Sequence, residues 1–190
     1  MAHPLRIRAF VTTALAALFS ACGPPINTQV IARPASSRES KISSQILAAV
    51  NGYRQRSSRA PLQGNRALDQ MAQNHSEFMR ANRGKFGIYG ADVSHYGVEQ
   101  RALAAREMYG MDQFGENVAA ATDQGSTTAA YLLDLWVKSP PHEHNLRNSW
   151  TSSGVGVVID SDGTVFATQV FGSRSIKPSQ MSMLNRLRVH

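Results

Sequence analysis

Apolar residues recur at helical spacing along much of the chain. Ile42, Ile46, Leu47, Val50 and Tyr53 share one face of a helix predicted over about 40–56, with Ser43 and Ser44 as start signals. Leu68, Met71, Ala72, His75 and Met79 form a second stripe, predicting a helix over about 66–81 capped by Asn65. Ala102, Leu103 and Met108 predict a short helix ending near Gly110. Ala129, Leu132, Leu133, Leu135 and Trp136 predict another over about 126–138, stopped by Pro140-Pro141. The period then changes to two. Val155, Val157 and Ile159 open a strand, Asp160 to Gly163 supplies a turn, and 164–171 returns as its partner. Helices first and an antiparallel hairpin last indicate an α+β fold. No internal repeat interrupts this order.

The start of the chain follows a different logic. Met1 to Arg8 carries Arg6 and Arg8 and no acid, and Ala9 to Phe19 is uncharged and mostly apolar. A basic start and a short apolar run describe a secretory signal, here 1–21, and the eleven-residue run is too short for a membrane span of about 20 apolar residues. Its end, Leu18-Phe19-Ser20-Ala21-Cys22, resembles a bacterial lipobox, with Phe19 where Leu is usual. The resemblance implies export and lipidation at Cys22. Gly23 in place of Asp then implies the outer membrane, facing the periplasm, in a bacterium with two membranes. Without the anchor, the expectation is simple secretion. Residues 22–40 are rich in Pro and Ser and read as a flexible tether. The domain is expected over 41–173, and 174–190 reads as a basic tail carrying Arg174, Lys177, Arg186 and Arg188.

Composition narrows the classes. The 190 residues are 42% hydrophobic and 17% charged, a globular balance. The single Cys excludes an intramolecular disulfide framework and a Cys-rich zinc module. Removing Arg6 and Arg8 lowers the net charge of +7 by two, and most of the remainder sits on the tail. That leaves the domain near neutral, so no nucleic-acid partner is expected; the tail suits an anionic membrane or wall polymer. A monomer is expected. There is no P-loop, GxGxxG, GxSxG or HExxH.

The polar residues able to carry chemistry stand at junctions: Ser94-His95 in the Gly-rich stretch 84–97, Gly115-Glu116-Asn117 after a Gly-bounded loop, and Pro140-Pro141-His142 past a helix end. Two imidazoles and a carboxylate, His95, Glu116 and His142, would make a fair first shell for a divalent metal such as zinc. They would equally make an acid/base cluster, or a hydrogen-bonded network bracing a cavity. His75 reads as a core residue on an apolar helix face, and His144 as surface. Trp136 reads as a core anchor, Arg54 as structural, and Asn117 as a brace for its loop.

The order of motifs resembles the CAP superfamily of cysteine-rich secretory proteins, in its cysteine-poor bacterial branch. Asn51, Arg54, Pro61, Leu62, Asn65, Leu68, Ala72, His75 and Ser76 follow the family's opening pattern. Ser94-His95, Gly115-Glu116-Asn117, then Trp136, Ser139, Pro140, His142 and Asn145 continue it, and Gly154, Gly156, Val157, Gln169, Phe171 and Gly172 close it. The resemblance implies a three-layer α-β-α sandwich with a cavity holding His95, Glu116, Asn117, Ser139 and His142. The family's second cavity acid would fall at Ser139, with Asp134 or Glu143 as substitutes. The expected function is binding of an extracytoplasmic lipid, wall fragment or protein by a non-enzymatic envelope protein. Two alternatives stand: a metal-dependent hydrolase using His95, Glu116 and His142, and a structural envelope protein without site chemistry.

Overall fold

The computed structural model describes residues 25–86 and 91–174; the leader, Cys22 and most of the basic tail lie outside them. Helix α1 (Ser37–Arg56) starts at a capping box: Ser36 accepts from the Glu39 amide, and Glu39 accepts from the Ser36 amide at 2.7 Å. Ser43 and Ser44, the expected start signals, lie inside the helix and donate to the carbonyls of Glu39 and Ser40. The boundary expected at about 40 therefore moves back to Ser37, after the Ser36 cap. Residues 25–36 have no regular element but lie against the domain. Asn27 and Asn82 exchange hydrogen bonds of 2.6 and 2.8 Å, and Ile26 packs beside Met79 and Phe86.

Strand β1 (Gln63–Gly64) is short. Helix α2 (Arg66–Ala81) begins where Asn65 accepts from the amides of Ala67 and Leu68. Helix α3 (Val98–Tyr109) ends at Gly110, whose φ of 66° needs glycine. Strand β2 (Gln113–Thr122) carries the Gly-Glu-Asn motif. Helix α4 (Thr128–Val137) is followed at once by α5 (Pro140–Arg147). Helix α4 ends before Pro140, as expected, and Pro140 also starts α5, because at the first helical position its missing N–H costs nothing. Strands β3 (Ser152–Ile159) and β4 (Thr164–Ser173) form the expected hairpin, with Gly163 at φ 83° in its turn.

The sheet order is β1-β3-β4-β2, antiparallel except for β1 with β3. Helices α1, α4 and α5 cover one face, and α2 and α3 the other. This is the three-layer α-β-α sandwich. Alternation along β4 divides the core: Val165, Ala167 and Phe171 meet Ile46, Leu132 and Trp136, while Phe166 and Val170 face the α2 side with Met79 and Leu68. With one Cys in the chain, burial and not a disulfide holds the two layers onto the sheet.

Side chains close both open edges of this sheet. On β3, the amides of Val155, Val157 and Ile159 donate to Asp69, Gln73 and Glu39 at 2.9, 3.0 and 2.8 Å. On β2, the carbonyls of Glu116 and Val118 accept from Asn145 and from the Trp136 indole, both at 3.1 Å. Capping these groups satisfies buried backbone and removes the template for strand pairing. Arg54, 1% exposed, does the same for the end of α5, donating to the carbonyls of Leu146 and Asn148 at 2.7 and 2.9 Å.

Candidate functional site

Strand β2 lies at the sheet edge, so its alternating side chains meet both helical layers. Glu116 points to the α2–α3 side, in line with Val118 of that core. Asn117 points to the α5 side, donating to the His142 carbonyl at 3.1 Å and accepting from Asn145 at 2.9 Å. Asn117 thus ties strand β2 to α5, where a brace for its own loop was expected. Trp150 packs over Gly115, where an added Cβ would lie 2.8 Å from its ring, and donates to the Asn145 carbonyl.

Glu116 is the centre of the cluster. Its side chain is 1% exposed, and His95 Nδ1 lies 2.9 Å from its Oε1. Arg101 of α3 holds both oxygens, with Nε 2.7 Å from Oε2 and Nη2 2.8 Å from Oε1. His75 Nε2 stands 3.8 Å from Oε1 while it donates to the Ser94 carbonyl at 2.7 Å. Burial opposes the charge, but the His95 and Arg101 hydrogen bonds prevail and hold Glu116 down to about 2. Burial holds His75 down to about 4, and it also lowers His142 with help from His95. At neutral pH, then, Glu116 is an anion and His75 and His142 are neutral.

An ionised carboxylate only accepts, so the His95 Nδ1 must donate. In the neutral ring that fixes the tautomer and leaves Nε2 as an acceptor, on a side chain that is 44% exposed. The His142 ring lies 6.1 Å from the His95 ring, centre to centre and tilted by 42°. His95, Glu116 and His142 therefore do gather, and Asn117 stands behind His142. Ser139 does not join them; it occupies the N-cap position of α5 with no side-chain cap bond. Neither substitute for the missing acid reaches the cluster: Asp134 pairs with Lys138 at 2.6 Å, and Glu143 accepts from the Tyr53 hydroxyl at 2.6 Å. His144 is exposed, as expected.

Sequence reasoning missed two members. His75 is a buried core residue, as expected, yet it also touches the anion. Arg101 was not singled out at all. A buried carboxylate demands a cation, and Arg101 and Arg106 are the arginines between His95 and Gly115, so the search had a short list.

The expected zinc shell does not fit this donor set. The Arg101 guanidinium occupies both Glu116 oxygens, and the one His95 nitrogen facing Glu116 is spent on it. Among the described residues, no group of three His, Cys, Asp or Glu side chains is placed to hold a metal ion. No Ser or Thr hydroxyl hydrogen-bonds to the His95 or His142 ring among the described residues, so no activated nucleophile is in place.

Beyond Arg101 a cavity of about 750 Å³ opens between α2 and α3, lined by Met71, His75, Phe78, Tyr96, Arg101 and Tyr109 among others. Phe78 stacks between His75 and Tyr96, with ring centres 5.7 and 5.5 Å away. His95, Glu116 and His142 do not line this space. It joins the cluster through Tyr96, next to His95, and through Arg101 and His75.

The profile of the cysteine-rich secretory protein family matches residues 47–171. Three solved bacterial structures share the fold. An outer surface protein from Borrelia burgdorferi is 15% identical with a TM-score of 0.59, covering 76% of this chain and 100% of its own. An extracellular protein containing a SCP domain from Bacillus anthracis is 25% identical with a TM-score of 0.51, covering 75% of this chain and 45% of its own. A cysteine-rich secretory protein from Staphylococcus aureus is 17% identical with a TM-score of 0.54, covering 75% and 42%. This chain thus spans less than half of the latter two. No sequence among the curated proteins matches. The ordered motifs, the α-β-α layers and the family profile agree, and the chain belongs to the cysteine-rich secretory protein (CAP) family.

Proposed function

We propose that this is an exported, envelope-anchored binding protein whose ligand is an amphipathic lipid. One observation carries the reading: the cavity between α2 and α3 is contiguous with a polar cluster. Met71, Phe78 and Tyr109 offer apolar and aromatic surface, while His75, Arg101 and neighbouring Tyr96-His95 offer polar groups at one end. At about 750 Å³ it falls within the roughly 300–1,000 Å³ typical of small-ligand pockets. An acyl chain would occupy the aromatic part, and its head group would meet the polar end, where Arg101 and His75 line the cavity. Glu116 orients the neighbouring His95 imidazole, and Arg101 keeps Glu116 charged and still. Hydrolysis is the poorer reading, because Glu116 is already fully engaged and, among the described residues, no Ser or Thr hydroxyl hydrogen-bonds to either imidazole.

Anchoring rests on the lipobox resemblance at Cys22, and exposure outside the cytoplasm agrees with the extracellular Bacillus relative. Among the described residues, no helix is long and apolar enough to cross a membrane. Lipid at Cys22 would supply attachment in its place.

The test uses the fluorescent fatty acid cis-parinaric acid. The full chain is expected to bind it saturably. Met71→Trp, which fills the cavity, is expected to weaken binding by roughly tenfold or more, equivalent to about 1.4 kcal/mol. A linear, non-saturating signal, or equal affinity in the variant, contradicts the proposal. In cells, Cys22→Ser is expected to move the protein from the membrane to the soluble fraction.

A further inference from the structure

A second cavity, of about 470 Å³, lies on the opposite side of α2, between that helix, α1 and residues 32–35. Its chemistry differs from the first. Asp69 and Gln73 stand one helical turn apart on α2, and each uses one oxygen to cap the open edge of β3. Their other polar atoms have no such duty. Gln73 is 8% exposed, and its Nε2 is buried without a hydrogen-bond partner in the protein. Asp69 has no cationic partner among the described residues, and burial pushes its carboxyl up. Both residues line the cavity, with Ser43, Ser44, Leu47 and Val155 around them.

The functional groups can be counted by sense. Ser43 and Ser44 spend their hydroxyl protons on helix carbonyls at 3.0 Å, so each presents lone pairs. Asp69 presents another acceptor. The Gln73 amide is the single buried donor among these four. A matching ligand must therefore bring several donors and at least one acceptor, on one compact body. Hydroxyl groups do both. An ammonium ion brings donors alone and would leave Gln73 unpaired. A carboxylate brings acceptors alone and would leave Asp69 and the serine oxygens unpaired. A secondary amide offers one N–H for each C=O, too few donors for these acceptors. Leu47, Val155 and Pro34 supply apolar contact for the C–H face of a ring.

We infer that this cavity is a binding site for a neutral polyhydroxylated ring, a sugar, whose hydroxyls meet the Gln73 amide, the Asp69 carboxylate and the serine oxygens. The site lies across α2 from the cavity between α2 and α3, sharing Gln70 in its lining, and does not depend on lipid binding there.

Two near-isosteric variants test it without disturbing the strand edge. Gln73→Glu keeps an oxygen for the Val157 amide and removes the donor. Asp69→Asn keeps an oxygen for the Val155 amide and turns the other acceptor into a donor. The probes are methyl glucoside, N-methylacetamide and methylammonium, titrated into the isotope-labelled full chain. The readout is the Gln73 side-chain NH₂ signal and the Val155 and Val157 amide signals. Methyl glucoside is expected to shift them along a saturating curve, and the two variants to bind roughly tenfold more weakly, while keeping the Val155 and Val157 amides protected from exchange. The inference is overturned if no saturation is reached, if N-methylacetamide or methylammonium binds more tightly than methyl glucoside, or if both variants bind as the parent does. Because the readout is at α2 and β3, failure here leaves the cis-parinaric acid result untouched.

Discussion

Replacing Gly156 with alanine is expected to remove a large part of the stability of the fold. The added Cβ would lie 2.1 Å from the Gln73 amide nitrogen and 2.2 Å from the Ala72 carbonyl carbon. These are backbone atoms, so no rotamer change relieves the clash. Helix α2 would have to lift from β3, withdrawing Gln73 from the Val157 amide and Ser76 from the Gly156 carbonyl, now 3.0 Å away. Overpacking of this kind costs about 3 kcal/mol or more, against a total stability of roughly 5–15 kcal/mol. Gly154 is in the same position, with Asp69 N at 2.1 Å. Urea unfolding checks it: the midpoint should fall sharply for Gly156→Ala. It should rise slightly for Gly52→Ala in helix α1, where the nearest atom is the flexible end of Arg56 at 3.4 Å and the gain is up to about 1 kcal/mol.

The second large effect is electrostatic. Arg101→Met leaves the Glu116 carboxylate buried with no cation forked onto it, which costs about 3–5 kcal/mol. Removing the charge as well, in Arg101→Met/Glu116→Gln, should recover much of the loss, because the orphaned anion is then gone. The pH profile should change in the same sense. In the parent, Glu116 is held near 2, below its unfolded value of about 4.3, so its contribution is complete above that unfolded value and disappears as pH falls toward about 2. His75, held near 4, acts in the same direction: its protonation is disfavoured in the fold, so stability begins to fall below about pH 6.5. Without Arg101, burial raises the Glu116 pKa and the acid limb should move to higher pH. Thermal melting from neutral pH to pH 3 reads both effects. A variant as stable as the parent, with the same acid limb, would contradict the arrangement.

Much of this fold is legible in the chain, and the illegible parts have causes. The stripes of α1 and α2 show because each helix buries one face only, and Asn65 marks its helix start by its own side-chain chemistry. Strand β2 does not show. Glu116, Asn117 and Ala119 to Ala121 have little intrinsic strand preference, and β4 imposes the pairing over ten residues. Helix α5 is hidden because Pro140 ends the pattern of α4 and, placed after Ser139, also opens the next helix. The site divides in the same way. His95, Glu116 and His142 carry motif signals, and their convergence follows from β2 being an edge strand. Arg101 carries none, since a lone arginine in a helix gains meaning only once Glu116 is known to be buried. Ser139 shows the opposite: it matches the motif, yet no contact ties it to the cluster. The Gly-x-Gly motif, a family signature at the level of sequence, turns out to be a packing requirement where α2 meets β3.

The central claim is that Glu116 is a positioning anion, closed by Arg101, that turns the acceptor nitrogen of His95 outward. The imidazole ¹⁵N resonances of His95 at neutral pH test it most directly. The account predicts a protonated Nδ1 coupled to Glu116 and a bare Nε2, with the bare nitrogen no longer fixed in Glu116→Gln. A protonated Nε2 and bare Nδ1 in the parent chain would contradict it.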